Sequence, residues 1–302
     1  MNAKQVLVAI VKLIACGLAY FIGLLAGGML AATLKLPSPP MPDGVSQSHA
    51  VLGLLYASPA MALGLALVAP RLAGGWPLRA LLLTGLLYVA YTVNTVLDAS
   101  LYLTAYANTS AFTLLSALVP SLFCGAAAAW LFAPAGPNRS FSAALRAFFR
   151  ERAAGQWLWR LALAALAFAP VYIFFGLLVN PFTGAYYAQH MYGLQTATWG
   201  QILPVQLARS LLFLLACLPV IVTWPGSTRS LFFSLGGALF ALVGLTMVLV
   251  GTWLPWSVRL PHLIEILADS FVYVYALVWL LARPTTAAAP QPAAGRLHHA
   301  EG

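Results

Sequence analysis

Eight long apolar runs dominate this chain, near residues 6–34, 49–70, 78–102, 111–133, 156–180, 200–222, 230–253 and 260–282. Crossing a hydrocarbon layer about 30 Å thick takes about 20 helical residues, and each run reaches that length. A soluble fold has no way to hide so much apolar surface. Of the 302 residues, 62% are hydrophobic and 7% are charged, and the mean hydropathy is +0.90. That leaves too little polar surface to cover a domain of this size. No run shows the two-residue alternation of a membrane barrel strand, and in lipid only a helix satisfies its own backbone. The chain therefore reads as an all-α integral membrane protein, an eight-transmembrane-helix bundle forming one domain over 1–283. An Ala- and Pro-rich segment, 284–302, follows as a disordered cytoplasmic tail.

Charge sets the direction of threading. With the N-terminus inside, twelve of the 15 basic residues fall on the inner side. They are Lys4, Lys12, Arg71, Arg79, Arg139, Arg146, Arg150, Arg152, Arg160, Arg229, Arg283 and Arg296. Lys35 and Arg259 fall outside, and Arg209 lies within the sixth run. The positive-inside rule then predicts an N-in/C-in protein with both termini cytoplasmic. The Ala-, Leu- and Arg-rich, lysine-poor composition fits a bacterial cell inner (plasma) membrane. Tryptophans agree independently, because indole rings prefer the headgroup level. Trp76, Trp130, Trp157, Trp159, Trp224 and Trp279 fall near inner ends, and Trp199, Trp253 and Trp256 near outer ends.

The pI of about 9.7 is thus topological charge and calls for no nucleic acid, which would need a basic stripe interleaved with aromatics on a soluble face. The expected partner is the lipid bilayer. Between the fourth and fifth runs, Phe141, Leu145, Phe148 and Phe149 share a helical face, with Arg139, Arg146 and Arg150 opposing it. This pattern predicts an interfacial helix lying on an anionic inner leaflet.

The first run is about twice the length of a signal-peptide core and reads as an uncleaved anchor. Its Gly23 and Gly27 form a small-xxx-small face for close helix packing. Cys16, Cys124 and Cys217 sit inside runs without metal-ligand spacing and read as small core residues. Pro37 to Gly44 forms a stiff outer connection. An internal duplication into two four-helix units is suggested by Trp76-Pro77-Leu-Arg79 and Trp224-Pro225-Gly-Ser-Thr-Arg229, which sit at matching inner turns.

The polar residues inside the runs locate a candidate pocket: Asn94, Asp98, Arg209, His262, Glu265 and Asp269. Three- and four-residue spacing puts Arg259, His262, Glu265, Asp269 and Tyr273 on one face of the last helix, and Tyr91, Asn94, Asp98 and Tyr102 on one face of the third. An ionisable group at mid-membrane costs about 2.5–3.5 kcal/mol on insertion scales and needs a partner. Arg209 is the natural counter-charge for Asp269, Asp98 or Glu265. A plainer reading puts Pro261 in a first helical turn and His262 and Glu265 near the positive end of the helix dipole. His49, His190 and Arg259 are secondary candidates. His262 and Glu265 have the spacing to share a metal, but the remaining ligands would have to come from His49, His190, Asp98 or Asp269. No metal site and no cofactor is expected. The nearly uncharged aromatic stretch from Asn180 to Pro204 reads either as a loop folded back as a lid over the outer cluster or as an interfacial half-helix with no ligand.

No catalytic signature or nucleotide-binding loop is present. Tyr186-Tyr-Ala-Gln-His190 and His262 resemble later motifs of the membrane prenyl-protein proteases, but the paired-glutamate motif defining that family is missing. Asn180-Pro181-Phe182 resembles one Asn-Pro turn of the water channels, which need two. No residue role is carried over from either. The best-fitting function is a small permease with an outward-facing polar pocket for an unknown small-molecule ligand. Against it, the inner halves of the runs are almost purely apolar. The alternatives are an intramembrane enzyme with a His/Glu/Asp site acting on a lipid or periplasmic substrate, and a non-catalytic assembly or scaffold subunit.

Overall fold

The structure, a computed structural model, describes residues 2–40, 46–104, 108–134 and 139–282, with only the backbone of Gln47 and His49. Among the described residues the chain is helical, with a single isolated bridge, Leu103 to Leu194, in place of any strand. Nine helices organise it. They are α1 (Ala3–Thr33), α2 (Gln47–Val68), α3 (Trp76–Tyr102), α4 (Ser110–Leu131), α5 (Phe141–Arg150), α6 (Ala154–Ala188), α7 (Trp199–Thr223), α8 (Thr228–Val250) and α9 (Trp256–Leu281). All but the short α5 are long and apolar enough to cross a membrane. The protein is a multi-pass, all-helical membrane protein. The expected tail, with Arg283 and Arg296, lies outside the described residues.

Two boundaries differ from the sequence reading. The fifth spanning helix does not stop at Asn180. It runs through Pro181 to Ala188, so the expected 25-residue outer loop shrinks to residues 189–198. Proline lacks a donor, but it costs the helix one hydrogen bond rather than ending it. The last helix starts at Trp256 behind Pro255, with Pro261 inside it. Pro261 is therefore not a first-turn residue, and His262 and Glu265 lie a full turn deeper than a start at residue 260 implies.

Taken as two consecutive groups of four, the spanning helices show matching neighbour relations. In the first, α1 packs on α2 and α4, and α3 on α4. In the second, α6 packs on α7 and α9, and α8 on α9. Between the groups, α2 meets α8 and α3 meets α7. Exchanging α1, α2, α3 and α4 with α6, α7, α8 and α9 leaves this pattern unchanged. Matching irregularities accompany it. One π-helical stretch interrupts α3 at Tyr88–Val93, another interrupts α8 at Ala241–Leu245, and the two touch. Each half has four spans, so both halves cross the membrane in the same sense, as a two-fold axis along the membrane normal requires.

Close packing is densest in the first half. A Cβ at Gly23 would sit 2.6 Å from the Pro120 Cα, and one at Gly27 would collide with the Ser116 carbonyl. The expected small-residue face is real, and its partner is α4. Cys16, Cys124 and Cys217 are buried and unbridged.

At the opposite end from the Asp98 region, arginines bind carbonyls where helices finish. Arg152 donates to Leu281 at 3.3 Å and Ala282 at 2.8 Å, and Arg160 to Leu280 at 2.6 Å. Arg79 donates to Ala129 at 3.2 Å and Arg139 to Arg71 at 2.7 Å. These are the unsatisfied carbonyls of helix C-termini, where positive charge is also favoured by the dipole. Burial, with Arg160 adding to it, holds the Arg152 guanidinium below its ordinary value.

The amphipathic α5 is present, but its apolar face is covered by protein rather than lying bare. Phe148 is buried, its ring 4.6 Å from Trp157, whose Nε1 donates to the Phe149 carbonyl at 3.0 Å. The exposed face keeps Arg146 and Arg150.

Candidate functional site

The polar cluster forms at the seam where α3 of one half meets α6, α7 and α9 of the other. Each helix is adjusted locally to supply it. Asn94 is the first residue after the π-helical stretch of α3, and Asp98 follows one turn later. Such stretches re-aim the side chains that follow them and concentrate at functional sites. In α6, Pro170 removes a backbone donor and the helix turns at Ala167. The freed Phe168 N–H donates to the Ser210 hydroxyl of α7 at 3.0 Å. That places the Phe168 ring over the guanidinium of the adjacent Arg209, 5.2 Å from its centroid.

Arg209 is the centre. Its Nε donates to Asn94 Oδ1 at 2.7 Å, and one terminal nitrogen donates to Asp98 Oδ1 at 2.6 Å and to Gln206 Oε1 at 2.9 Å. Tyr172 donates to the same Asp98 oxygen at 3.1 Å and lays its ring 4.6 Å from the guanidinium. The ion pair is lopsided in exposure. The Arg209 side chain is 5% exposed and that of Asp98 is 38% exposed. The remaining space beside Arg209, lined by Val89, Asn94, Leu97, Leu212 and Phe213, is too small for a water molecule.

A second chain of contacts runs along α9. The Tyr187 hydroxyl meets His262 Nε2 at 3.1 Å, and His262 Nδ1 meets Glu265 Oε2 at 2.6 Å. Tyr102 flanks this chain of contacts, its ring 5.8 Å from that of Tyr187. One turn deeper, Asp269 is buried and its Oδ1 has no hydrogen-bond partner. Gln206 Nε2 and Tyr273 Oη are buried and unpartnered as well. Of the three carboxyls expected as partners for Arg209, it is Asp98 that forms the ion pair, and no salt bridge joins Arg209 to Asp269 among the described residues. Asp269 lies within electrostatic range of Glu265, Arg209 and Asp98. Three carboxyls thus face one guanidinium.

The structure brings together Asn94, Asp98 and Arg209 in one network, and His262, Glu265 and Asp269 on the adjoining face. The secondary candidates fall elsewhere. His190 is exposed in the turn after α6, with a left-handed φ of 56°. Arg259 donates to the Val248 carbonyl at 3.0 Å and stacks on Trp256. The His49 side chain lies outside the described residues. Among the described residues no group of three or more His, Cys, Asp or Glu side chains is placed to hold a metal ion.

Sequence reasoning missed Gln206 and Tyr172 and left Tyr187 in a loop. Gln206 precedes Arg209 by three residues, the helical-face spacing that found the other residues. The aromatic stretch after Asn180 begins as helix rather than as a loop. Tyr186 and Tyr187 belong to the helical extension of α6, and Tyr186 reaches Ser257 at 2.8 Å. The short loop beyond it is pinned to the end of α3, Gln195 N–H donating to the Tyr102 carbonyl at 2.9 Å.

Comparisons with protein-family models, with curated proteins and with solved structures give no match.

Proposed function

We propose that this protein is an ion-coupled permease for a small polar solute, with the Arg209 network as its binding site. One observation carries the reading: a polar cluster with more carboxyls than cations spans the seam between two four-helix halves of like neighbour pattern. Asn94 and Asp98 come from one half, and Gln206, Arg209, Glu265 and Asp269 from the other. Transporters built from such repeats bind at the repeat interface and work by rocking one half against the other. The far end of the seam is held by Arg71 of one half stacked 4.9 Å over Trp224 of the other.

The test is uptake of a mixed-metabolite pool by proteoliposomes, read by mass spectrometry with and without imposed ion gradients. The expected result is gradient-driven enrichment of at least one solute, reduced tenfold or more in Arg209→Gln. No enrichment by folded protein under any gradient overturns the reading.

The Tyr187–His262–Glu265 chain favours a second reading, an enzyme whose His262 acts as a general base at the outer surface. In the same assay that reading predicts chemical conversion of a solute or lipid without accumulation.

We place the N- and C-termini in the cytoplasm, with the bundle in a cell inner membrane and the exposed Arg139, Arg146 and Arg150 facing its anionic leaflet. The native cysteines are buried, so reporters can be added singly. Thr196→Cys is expected to react with an impermeant maleimide in whole cells, and Ala147→Cys only after permeabilisation. External labelling of Ala147→Cys reverses the assignment.

A further inference from the structure

We propose that Asp269 is the proton-binding carboxyl of this site and that Tyr187, His262 and Glu265 form its path to the outer surface, an assignment that rests on the permease reading above. Asp269 stands about 20 Å along α9 from Trp256 at 1.5 Å per residue, near mid-membrane. It is buried with Oδ1 unpartnered. The guanidinium nearby pairs with Asp98 and bonds Asn94 and Gln206, and no salt bridge joins it to Asp269 among the described residues. A carboxyl in low dielectric without its own counter-charge takes up a proton or a cation rather than standing alone.

The surroundings choose between the two. Hard cations need several oxygen ligands in a shell, six or more for the divalent ones. Among the described residues no acidic and histidine grouping supplies one. A proton needs one oxygen. The ionisable groups facing Asp269 are Glu265 and Tyr273 on α9, Arg209 on α7, Asp98 on α3 and Tyr172 on α6. The adjoining α8 carries no ionisable side chain except Arg229, at its distant start.

The path is two hydrogen bonds, Tyr187 to His262 and His262 to Glu265, followed by one helical turn to Asp269. His262 has a side chain 23% exposed, while Glu265 behind it is 6% exposed. Starting from the neutral ring with its proton on Nδ1, outer water delivers a proton to Nε2, displacing the Tyr187 hydrogen bond. The Nδ1 proton passes to Glu265 Oε2 across the 2.6 Å contact. Glu265 lies four residues before Asp269 on the same face, where side chains are neighbours about 5–6 Å apart at Cβ, and hands the proton on. One proton leaves water and one arrives at Asp269. The starting form of His262 returns when the ring, turned to the outer water, gives up its Nε2 proton to water and takes one from water at Nδ1.

Infrared spectroscopy of the reconstituted protein tests this by counting protonated carboxyls. A carboxylic-acid C=O band is expected at neutral pH. It should vanish in Asp269→Asn, shift in Asp269→Glu, and persist in Asp98→Asn. In His262→Ala or Glu265→Gln the band should remain, but its exchange with deuterium added outside should slow at least tenfold. A neutral-pH spectrum without that band, or one unchanged by Asp269→Asn in folded protein, overturns the assignment. Solute uptake that follows a sodium gradient and ignores pH also overturns it while leaving the permease intact. A band lost in Asp269→Asn from protein that moves no solute supports the proton site and sinks the permease.

Discussion

Asp98→Leu is expected to destabilise the protein by about 3–5 kcal/mol, the cost of leaving a buried charge without its partner. The residue left behind is Arg209, 5% exposed, which would keep only Asn94, Gln206 and two aromatic faces. The reverse change is expected to cost less. Arg209→Leu leaves Asp98, whose 38% exposed side chain can recover hydration, and solvent screening weakens what such a partly exposed group loses. The remaining cost is two buried side-chain acceptors without donors, on Asn94 and Gln206, at about 1–3 kcal/mol each at most. The double variant should then be more stable than Asp98→Leu alone. Thermal unfolding in detergent, followed by tryptophan fluorescence, measures all three. Equal costs for the two single changes would mean that the burial of Arg209 is not what makes the pair matter.

Gly27→Leu is expected to unseat α1 from α4. A Cβ at this position meets the Ser116 carbonyl, which is backbone and cannot swing aside. A methyl alone should cost about 1–3 kcal/mol through forced separation of the helices. The larger side chain should abolish the contact, which carries much of the docking of α1. Gly28 supplies the control, since nothing lies within 4 Å of its added Cβ. Gly28→Ala should be neutral or gain up to about 1 kcal/mol from helix propensity. Melting temperature and protease resistance of α1 read both. Equal behaviour of the Gly27 and Gly28 variants would contradict the packing.

Most of the architecture was legible because the bilayer leaves few options. Apolar runs of spanning length became the eight spanning helices, and the arginines assigned to one side cluster at one end of the bundle. What escaped was local. A period of apolar residues does not register Pro181 as tolerated or Pro255 as a helix start, because both outcomes depend on what satisfies the freed carbonyls. For α5, sequence shows an apolar face but not what covers it, and Trp157 covers it here. The site was legible by residue type and face: Asn94, Asp98, Arg209, His262, Glu265 and Asp269 were found as rare polar groups in lipid-length helices. Partner choice was not. Arg209 takes Asp98 rather than Asp269, and the π-helical stretch that precedes Asn94 and Asp98 in α3 is announced by no local residue pattern.

The two seams between the halves are unequal. Where α2 meets α8, residues Gln47–Val68 carry no acid, lysine or arginine, and α8 has only Arg229. After its own π-helical stretch, α8 presents Thr246, whose hydroxyl turns back to the Leu242 carbonyl where Asn94 in α3 reaches across to Arg209. In the permease reading, the rocking of one half against the other then takes the form of a door swinging on one seam. The dry seam is the hinge side, held by apolar contact that gains nothing from separation. The charged seam is the latch side, where water can replace each bond that opening breaks. Placing an asparagine at Thr246 would put a second latch on the hinge.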